Sequence, residues 1–170
     1  MATTYTAQPI PPTALAELRR SDDAGRDCVP YTVTDDDGVG SPLRCCLRGA
    51  VAGDRIALVS YAPLRRWAAG AGVDPGAYSE QGPVFIHAEE CGAPDEDPKA
   101  YPFDRSGALR TLRRYDAQGR IAGGRLLEIP EEPAEGFDRG FDDAFADPDV
   151  AFVHVRAVEY GCFLFTVPRP

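Results

Sequence analysis

The sequence predicts a single α+β domain whose mostly antiparallel sheet, open or barrel-like, has about seven to eight strands. Two patterns support this prediction: short β-rich runs follow one another as hairpins, and one principal amphipathic helix comes late in the chain. That order is typical of α+β proteins and differs from the strand and helix alternation of a parallel sheet. With 170 residues, 44% of them apolar, the chain has the size and composition of one globular domain. We divide it into a lead-in segment, residues 1–40, and a core, residues 41–170.

The first half of the chain is predicted to contain a short helix and several strands. Pro11 and Pro12 precede a helix from Thr13 to about Arg20, which turns Leu15 and Leu18 inward. The predicted strands are Cys28 to Thr34, Leu43 to Arg48 and Arg55 to Tyr61, of which the last two form a first hairpin. The segment from Ala62 to Gln81 is rich in Pro, Gly and Ala and contains Trp67. We predict that it is a long loop, either a lid or an insertion.

The second half is predicted to contain one strand, two hairpins and the principal helix. The strand and hairpins are Gly82 to Glu89, Ala108 to Tyr115 with Ile121 to Ile129, and Val150 to Val158 with Cys162 to Val167. An acidic loop follows the first of these and ends at Phe103. Gly123 and Gly124 are predicted to mark a bulge. Pro133 suits the start of a helix whose apolar face carries Phe137, Phe141 and Phe145 at four-residue spacing.

The composition excludes several classes of function. A formal net charge of −9 argues against binding to nucleic acid, which depends on clustered Lys and Arg. No apolar run is long enough for a membrane-spanning helix, so we expect no membrane partner. The first residues lack the basic and apolar regions of a secretory signal, and the cysteine count of 5 is odd. We therefore expect a cytoplasmic protein with a small-molecule partner.

Both histidines of the chain lie in near-copies of one apolar strand, and each is followed by a cysteine. The two segments are Val-Phe-Ile-His87-Ala, followed by Cys91, and Ala-Phe-Val-His154-Val, followed by Cys162. Strand alternation places each histidine on the same face as a phenylalanine and a charged residue. This pattern suggests a partly covered face, such as the wall of a cleft. A structural histidine that is hydrogen-bonded beside the core fits the same pattern.

Three kinds of chemistry are open to these residues. In the first, His87 and His154 are a general acid and base, since imidazole titrates near neutrality. Candidate substrate-binding residues are Arg44, Tyr61, Trp67, Tyr78 and Arg156, in which an arginine would hold an anionic group. In the second, a thiol acts as a nucleophile, for which the candidates are Cys46, Cys91 and Cys162, although no known cysteine-nucleophile signature surrounds them.

The third possibility is a divalent metal ion, although the sequence favours neither a metal nor an organic cofactor. If a metal is bound, the predicted ligands are His87, Cys91, His154 and Cys162. Their spacing matches no zinc finger or ribbon, so tertiary contacts would have to assemble the site. Cys45 and Cys46 are predicted to point to opposite faces of a strand, and therefore at most one of them could join.

The chain resembles the uncharacterised bacterial family called domain of unknown function 1203, from about Ser41 to the C-terminus. The matching segments include Pro42 to Arg48, Gly82 to Ala88 with Cys91, and Val150 to Arg156 with Cys162. Many members of that family read Cys-Arg-His-Cys in the first hairpin and have a further cysteine in the last strand. Here Leu43, Cys45 and Phe165 occupy three of those positions. The resemblance implies no reaction, and these departures weaken a metal site built on the missing residues.

The resulting expectation is a small cytoplasmic enzyme that acts on a small, anionic organic substrate, with a role in specialised metabolism. His87 and His154 would supply acid/base chemistry of the lyase, isomerase or cyclase kind without an organic cofactor. The alternative is a non-catalytic binding or sensor protein, in which the same pocket holds a small molecule or a metal ion.

Overall fold

A computed structural model describes residues 4–92, 94 and 100–170 of the chain. Much of the predicted acidic loop before Phe103 lies outside these residues. The described helices and strands are, in order, α1 (Pro12–Leu18), β1 (Tyr31–Thr32), β2 (Pro42–Leu43), β3 (Arg48–Gly49), β4 (Arg55–Tyr61), α2 (Pro63–Ala71), a 3₁₀ turn (Gly76–Tyr78), β5 (Gly82–His87), β6 (Leu109–Asp116), β7 (Ile121–Glu128), α3 (Pro133–Phe145), β8 (Val150–Ala157) and β9 (Phe163–Pro168). No helix among the described residues is both long enough and apolar enough to cross a membrane.

The strands form two mostly antiparallel sheets, and the α+β prediction is confirmed. One sheet has five strands in the order β1-β4-β5-β2-β3, and the other has four in the order β7-β6-β8-β9. The pair β2–β5 is parallel, and every other strand pair is antiparallel. Neither sheet closes into a barrel within the described residues.

Side chains of the lead-in segment pack in the hydrophobic interior, and its backbone joins the two sheets. Ile10 is 1% exposed, and it packs with Leu15 and Leu18 of α1 against the five-stranded sheet. Gln8 pairs with Thr166 of the four-stranded sheet through backbone hydrogen bonds of 2.8 and 3.3 Å. Two residues later, the Ile10 N–H donates to the carbonyl of Arg44 beside the five-stranded sheet. The N-terminal segment therefore crosses from one sheet to the other.

Helix α3 confirms the predicted apolar face. Phe137 and Phe141 are fully buried and Phe145 nearly so, and they pack in the core under the four-stranded sheet. Gly140 lies on the same face, where a Cβ atom would come within 2.5 Å of Leu112 Cδ1. The helix can approach the sheet this closely because Gly140 has no side chain.

The structure confirms the two later predicted hairpins, but the prediction of the first hairpin is wrong. β6 pairs with β7 around a register shift beside Gly123, as predicted for a bulge, and β8 pairs with β9. β2 and β3 instead pair with each other across a four-residue turn, and β4 pairs with β1 and β5. The run from Leu43 to Arg48 is therefore mostly turn. Its β-rich composition does not reveal that its central residues reverse the chain.

The prediction of a long loop from Ala62 to Gln81 is also wrong, because most of this segment is helical. Pro63 occupies the first turn of α2, where its missing N–H costs no hydrogen bond. Leu64 and Ala68 are buried on the inner face of the helix. Gly72 ends the helix in the left-handed conformation, with φ of 69°. The Pro and Gly residues that suggested a loop therefore mark the two ends of a helix.

Candidate metal centre

Cys45 and Cys46 lie in the turn between β2 and β3, at residues 44–47. The Leu47 N–H donates to the Leu43 carbonyl at 2.9 Å, and Leu47 takes a positive φ of 57°. In such a turn, consecutive side chains do not alternate between two faces as they do in a strand. The prediction that at most one of the two cysteines could join a site is therefore wrong: their sulfurs are 3.9 Å apart and both face His87.

His87 is the last residue of β5, and Cys91 lies four positions later in the chain. The Nδ1 atom of His87 is 3.4 Å from the Cys45 sulfur and 3.7 Å from the Cys46 sulfur. The His87 backbone N–H also donates to the Cys45 sulfur at 3.2 Å. The potential ligand atoms of Cys45, Cys46, His87 and Cys91 all lie within 4.8 Å of one another. Three segments of the chain thus converge on one point.

These distances resemble the edges of a tetrahedron around a zinc ion. With Zn–S bonds of about 2.3 Å and Zn–N bonds of about 2.05 Å, ideal geometry gives S···S edges of about 3.8 Å and S···N edges of about 3.6 Å. The described S···S distance is 3.9 Å, and the two S···N distances are 3.4 and 3.7 Å. The triangle formed by Cys45, Cys46 and His87 therefore has the size of one face of a metal site, and the Cys91 sulfur lies within 4.8 Å of all three ligand atoms.

Asp54 and Arg48 support the other nitrogen of the imidazole. His87 Nε2 lies 3.5 Å from Asp54 Oδ1 and 3.1 Å from an Arg48 nitrogen. Arg48 also pairs with both oxygens of Asp54, at 3.0 and 3.3 Å. Nδ1 can bind a metal only if Nε2 carries the proton and donates to Asp54. The Arg48 nitrogen, which is itself only a donor, then has to turn away from Nε2 and keep its contacts with Asp54. Sequence reasoning missed Arg48 and Asp54, since only the folded turn brings them to His87.

The electrostatics of the cluster favour a thiolate at Cys46. The hydrogen bond from the Cys45 thiol lowers the pKa of Cys46 and raises the pKa of Cys45, and burial raises the pKa of Cys91. The Arg48 hydrogen bond lowers the pKa of Asp54 to about 2. Three cysteine thiolates would leave a divalent ion with a net charge of −1, which the guanidinium of Arg48 can balance.

His154 and Cys162 do not join this cluster. His154 lies in β8 of the other sheet, 2% exposed, among the rings of Tyr115, Phe152 and Phe163 at centroid distances of 4.7, 5.2 and 5.0 Å. Burial, and then nearby arginines, lower the pKa of His154 to about 3, so the imidazole is neutral. Cys162 is partly exposed and directly precedes β9, and its sulfur lies 3.6 Å from the Tyr160 carbonyl. Of the four predicted metal ligands, His87 and Cys91 therefore lie in this cluster, and His154 and Cys162 lie outside it.

The structure brings some of the predicted substrate-binding residues together: Tyr61 and Trp67 line one cleft with His154, and Tyr61 lines a second with Arg156. Tyr61 and Trp67 are packed against Phe163 and Phe152, at 5.7 and 4.5 Å between ring centroids, while Tyr78 is exposed.

The two predicted anchoring arginines make backbone contacts. Arg44 is buried and donates to the carbonyls of Phe163 and Pro42. Arg156 donates to the Gly161 carbonyl at 2.7 and 3.0 Å.

The fold and the cluster define a small α+β protein with a buried site of three cysteines and one histidine. The chain belongs to the family described as Protein of unknown function (DUF1203), whose sequence model matches residues 40–169. This match confirms the resemblance. No curated protein and no solved structure matches the chain significantly.

Proposed function

We propose that the protein binds a zinc ion through Cys45, Cys46, His87 and Cys91. The observation that supports this proposal is the convergence of the four potential ligand atoms within 4.8 Å, with near-tetrahedral distances among the ligand atoms of Cys45, Cys46 and His87. Thiolate and imidazole ligands are typical of zinc, whereas calcium and magnesium prefer oxygen ligands. The imidazole would bind through Nδ1, because that nitrogen faces both sulfurs.

The zinc ion is proposed to be structural. A structural site uses four protein ligands, whereas a catalytic site keeps one position open for water or substrate. The ion would connect the turn after β2, the end of β5 and the segment that follows it. Strands β2 and β3 have two residues each, so their backbone ladder is short. A metal ion that links this hairpin to β5 would hold the end of the five-stranded sheet in place.

Burial favours metal binding over thiol catalysis at this cluster. Cys45 and Cys46 are 3% and 4% exposed, and His87 is 7% exposed. A nucleophilic thiolate must reach a substrate atom, whereas a structural ligand must exclude solvent. Cys91 is half-buried and gives the cluster its more open side. The cytoplasmic location predicted from the sequence suits this proposal, since zinc binding requires reduced cysteines.

Acid/base catalysis by His87 and His154 stays a prediction. The two histidines lie in different sheets, and the described contacts of the two rings involve different residues. The experiment on zinc tests a different function and does not depend on a substrate.

The direct test is the metal content of tag-free protein by elemental mass spectrometry. Wild-type protein purified from zinc-supplemented cells should contain about one zinc ion per chain. Cys46→Ser, His87→Gln and Cys91→Ser should each lose most of it. The matched controls Cys162→Ser and His154→Gln remove the same residue types outside the cluster and should keep it.

Cobalt substitution tests the geometry of the same site. Cobalt bound by three thiolates and one imidazole should give the strong visible d–d bands of a tetrahedral ion and thiolate-to-cobalt charge-transfer absorption. Cys46→Ser should weaken the charge-transfer absorption and Cys162→Ser should not. A metal-free wild type, or zinc retained by Cys46→Ser and Cys91→Ser alike, would refute the proposal.

A further inference from the structure

A cleft separate from the metal centre lies where the N-terminal segment and α2 meet the four-stranded sheet. Its volume is about 440 Å³, within the range of small-molecule sites. Residues that line it include Pro11, Tyr61, Pro63, Trp67, His154 and Phe163. None of the four residues of the metal cluster lines this cleft.

Three aromatic side chains, those of Tyr61, Trp67 and Phe163, line the cleft beside His154. Trp67 packs on Phe152 at 4.5 Å, and Tyr61 packs on Phe163 at 5.7 Å, so ring contacts hold these side chains in place. Rigid aromatic walls favour a planar apolar ligand, which can stack on their faces or meet their edges.

Among the polar residues that line this cleft, His154 has a buried ring nitrogen, Nδ1, without a hydrogen-bond partner in the described part of the chain. Burial lowers the pKa of the imidazole, which therefore stays neutral at neutral pH. A buried polar atom without a partner is costly, and a ligand that hydrogen-bonds the ring offsets that cost.

The charged residues that line the cleft are paired with each other, so they do not favour an ionic ligand. Glu17 and Arg66, the charged lining residues of the described chain, pair with each other at 2.7 Å. Arg66 also donates to both oxygens of Asp23, at 2.8 to 3.1 Å. Because these donors are already used, the cleft offers no free guanidinium to a carboxylate or phosphate.

We infer that this cleft binds a small, uncharged aromatic molecule with one hydroxyl group, which stacks against Trp67 and hydrogen-bonds the His154 imidazole. This is a second site, and it does not require zinc at the metal centre.

Phenol and anisole are a matched pair of probes for this inference. They share a ring, but anisole has a methoxy group in place of the hydroxyl and cannot donate a hydrogen bond. Calorimetric titration of the zinc-loaded wild type should give one site per chain, with phenol bound about three- to tenfold more tightly than anisole. Phenol should also shift the NMR signal of the indole N–H of Trp67, the single tryptophan.

His154→Leu tests the hydrogen bond, since it keeps the site apolar and removes the polar ring. It should reduce the preference for phenol over anisole to about one, while Tyr160→Phe, at an exposed residue outside the cleft, should leave the wild-type preference unchanged. The inference is wrong if wild type binds neither probe, if it binds both equally, or if folded His154→Leu keeps the preference. If His154→Leu does not fold, the relative affinity of wild type for phenol and anisole and the NMR signal of Trp67 still test the inference.

Discussion

The buried His154 should make the protein lose stability in mild acid, and His154→Leu should remove that loss. The pKa of His154 is lowered from 6.5 to about 3, so the unfolded chain takes up a proton below pH 6.5 that the folded chain refuses. Stability therefore falls as the pH drops from 6.5 towards 3. Each pH unit in this window costs about 1.4 kcal/mol, so the loss near pH 5 is about 2 kcal/mol.

Urea denaturation of wild type and His154→Leu at several pH values between 7 and 4.5 measures this effect. Leucine has no titrating group and should pack among Tyr115, Phe152 and Phe163. Any release of zinc in acid affects both proteins, so the difference between them isolates His154. We expect the variant to gain about 2 kcal/mol on wild type between pH 7 and pH 5. If the two proteins lose stability in parallel, the folded state protonates His154 easily, and the neutral imidazole assumed for the cleft is wrong.

Three further predictions concern the metal, a carboxylate and a helix contact. A zinc chelator should lower the melting temperature of wild type and leave that of Cys91→Ser unchanged, as measured by scanning calorimetry. Asp22→Ala should cost about 1–3 kcal/mol, because three backbone N–H groups donate to that carboxylate at 2.9 to 3.0 Å. Burial opposes the charge of Asp22, but these hydrogen bonds lower its pKa below 3.8. Urea denaturation should therefore show the full loss of stability in Asp22→Ala above pH 3.8 and a smaller loss as the pH falls below that value. Gly140→Ala should cost about 1–3 kcal/mol because its Cβ would meet Leu112, whereas Gly70→Ala, with open space, should not destabilise. Thermal denaturation distinguishes the two glycine variants.

The parts of the fold that sequence reasoning predicts are those with a strong local pattern. The phenylalanines of α3 recur at helical spacing, and the hairpins β6–β7 and β8–β9 join strands that are neighbours in the chain. In these elements, local periodicity and tertiary burial agree. The parallel pair β2–β5 joins Leu43 to Phe85 over a long separation, and no local pattern indicates it.

The metal cluster is predictable only in part, for a geometric reason. The sequence identifies His87 and Cys91 as a possible ligand pair, but assigns Cys45 and Cys46 to a strand, where their side chains would diverge. The backbone reverses at these two residues instead, and both sulfurs then face the imidazole. The sequence similarity of the two histidine strands also suggests a shared site. In the structure, however, His154 lies among aromatic rings in the four-stranded sheet, whereas His87 lies in the five-stranded sheet.

Arg44 connects the metal centre to the cleft. Its backbone N–H donates to Phe85 in the five-stranded sheet at 2.9 Å, and its Nε donates to the carbonyl of Phe163 in the other sheet at 2.7 Å. Arg44 directly precedes Cys45, while the ring of Phe163 lines the cleft. Arg44 is 3% exposed, so its guanidinium is out of reach of a substrate anion in solution. Its hydrogen bonds instead hold the cysteine-bearing turn against both sheets.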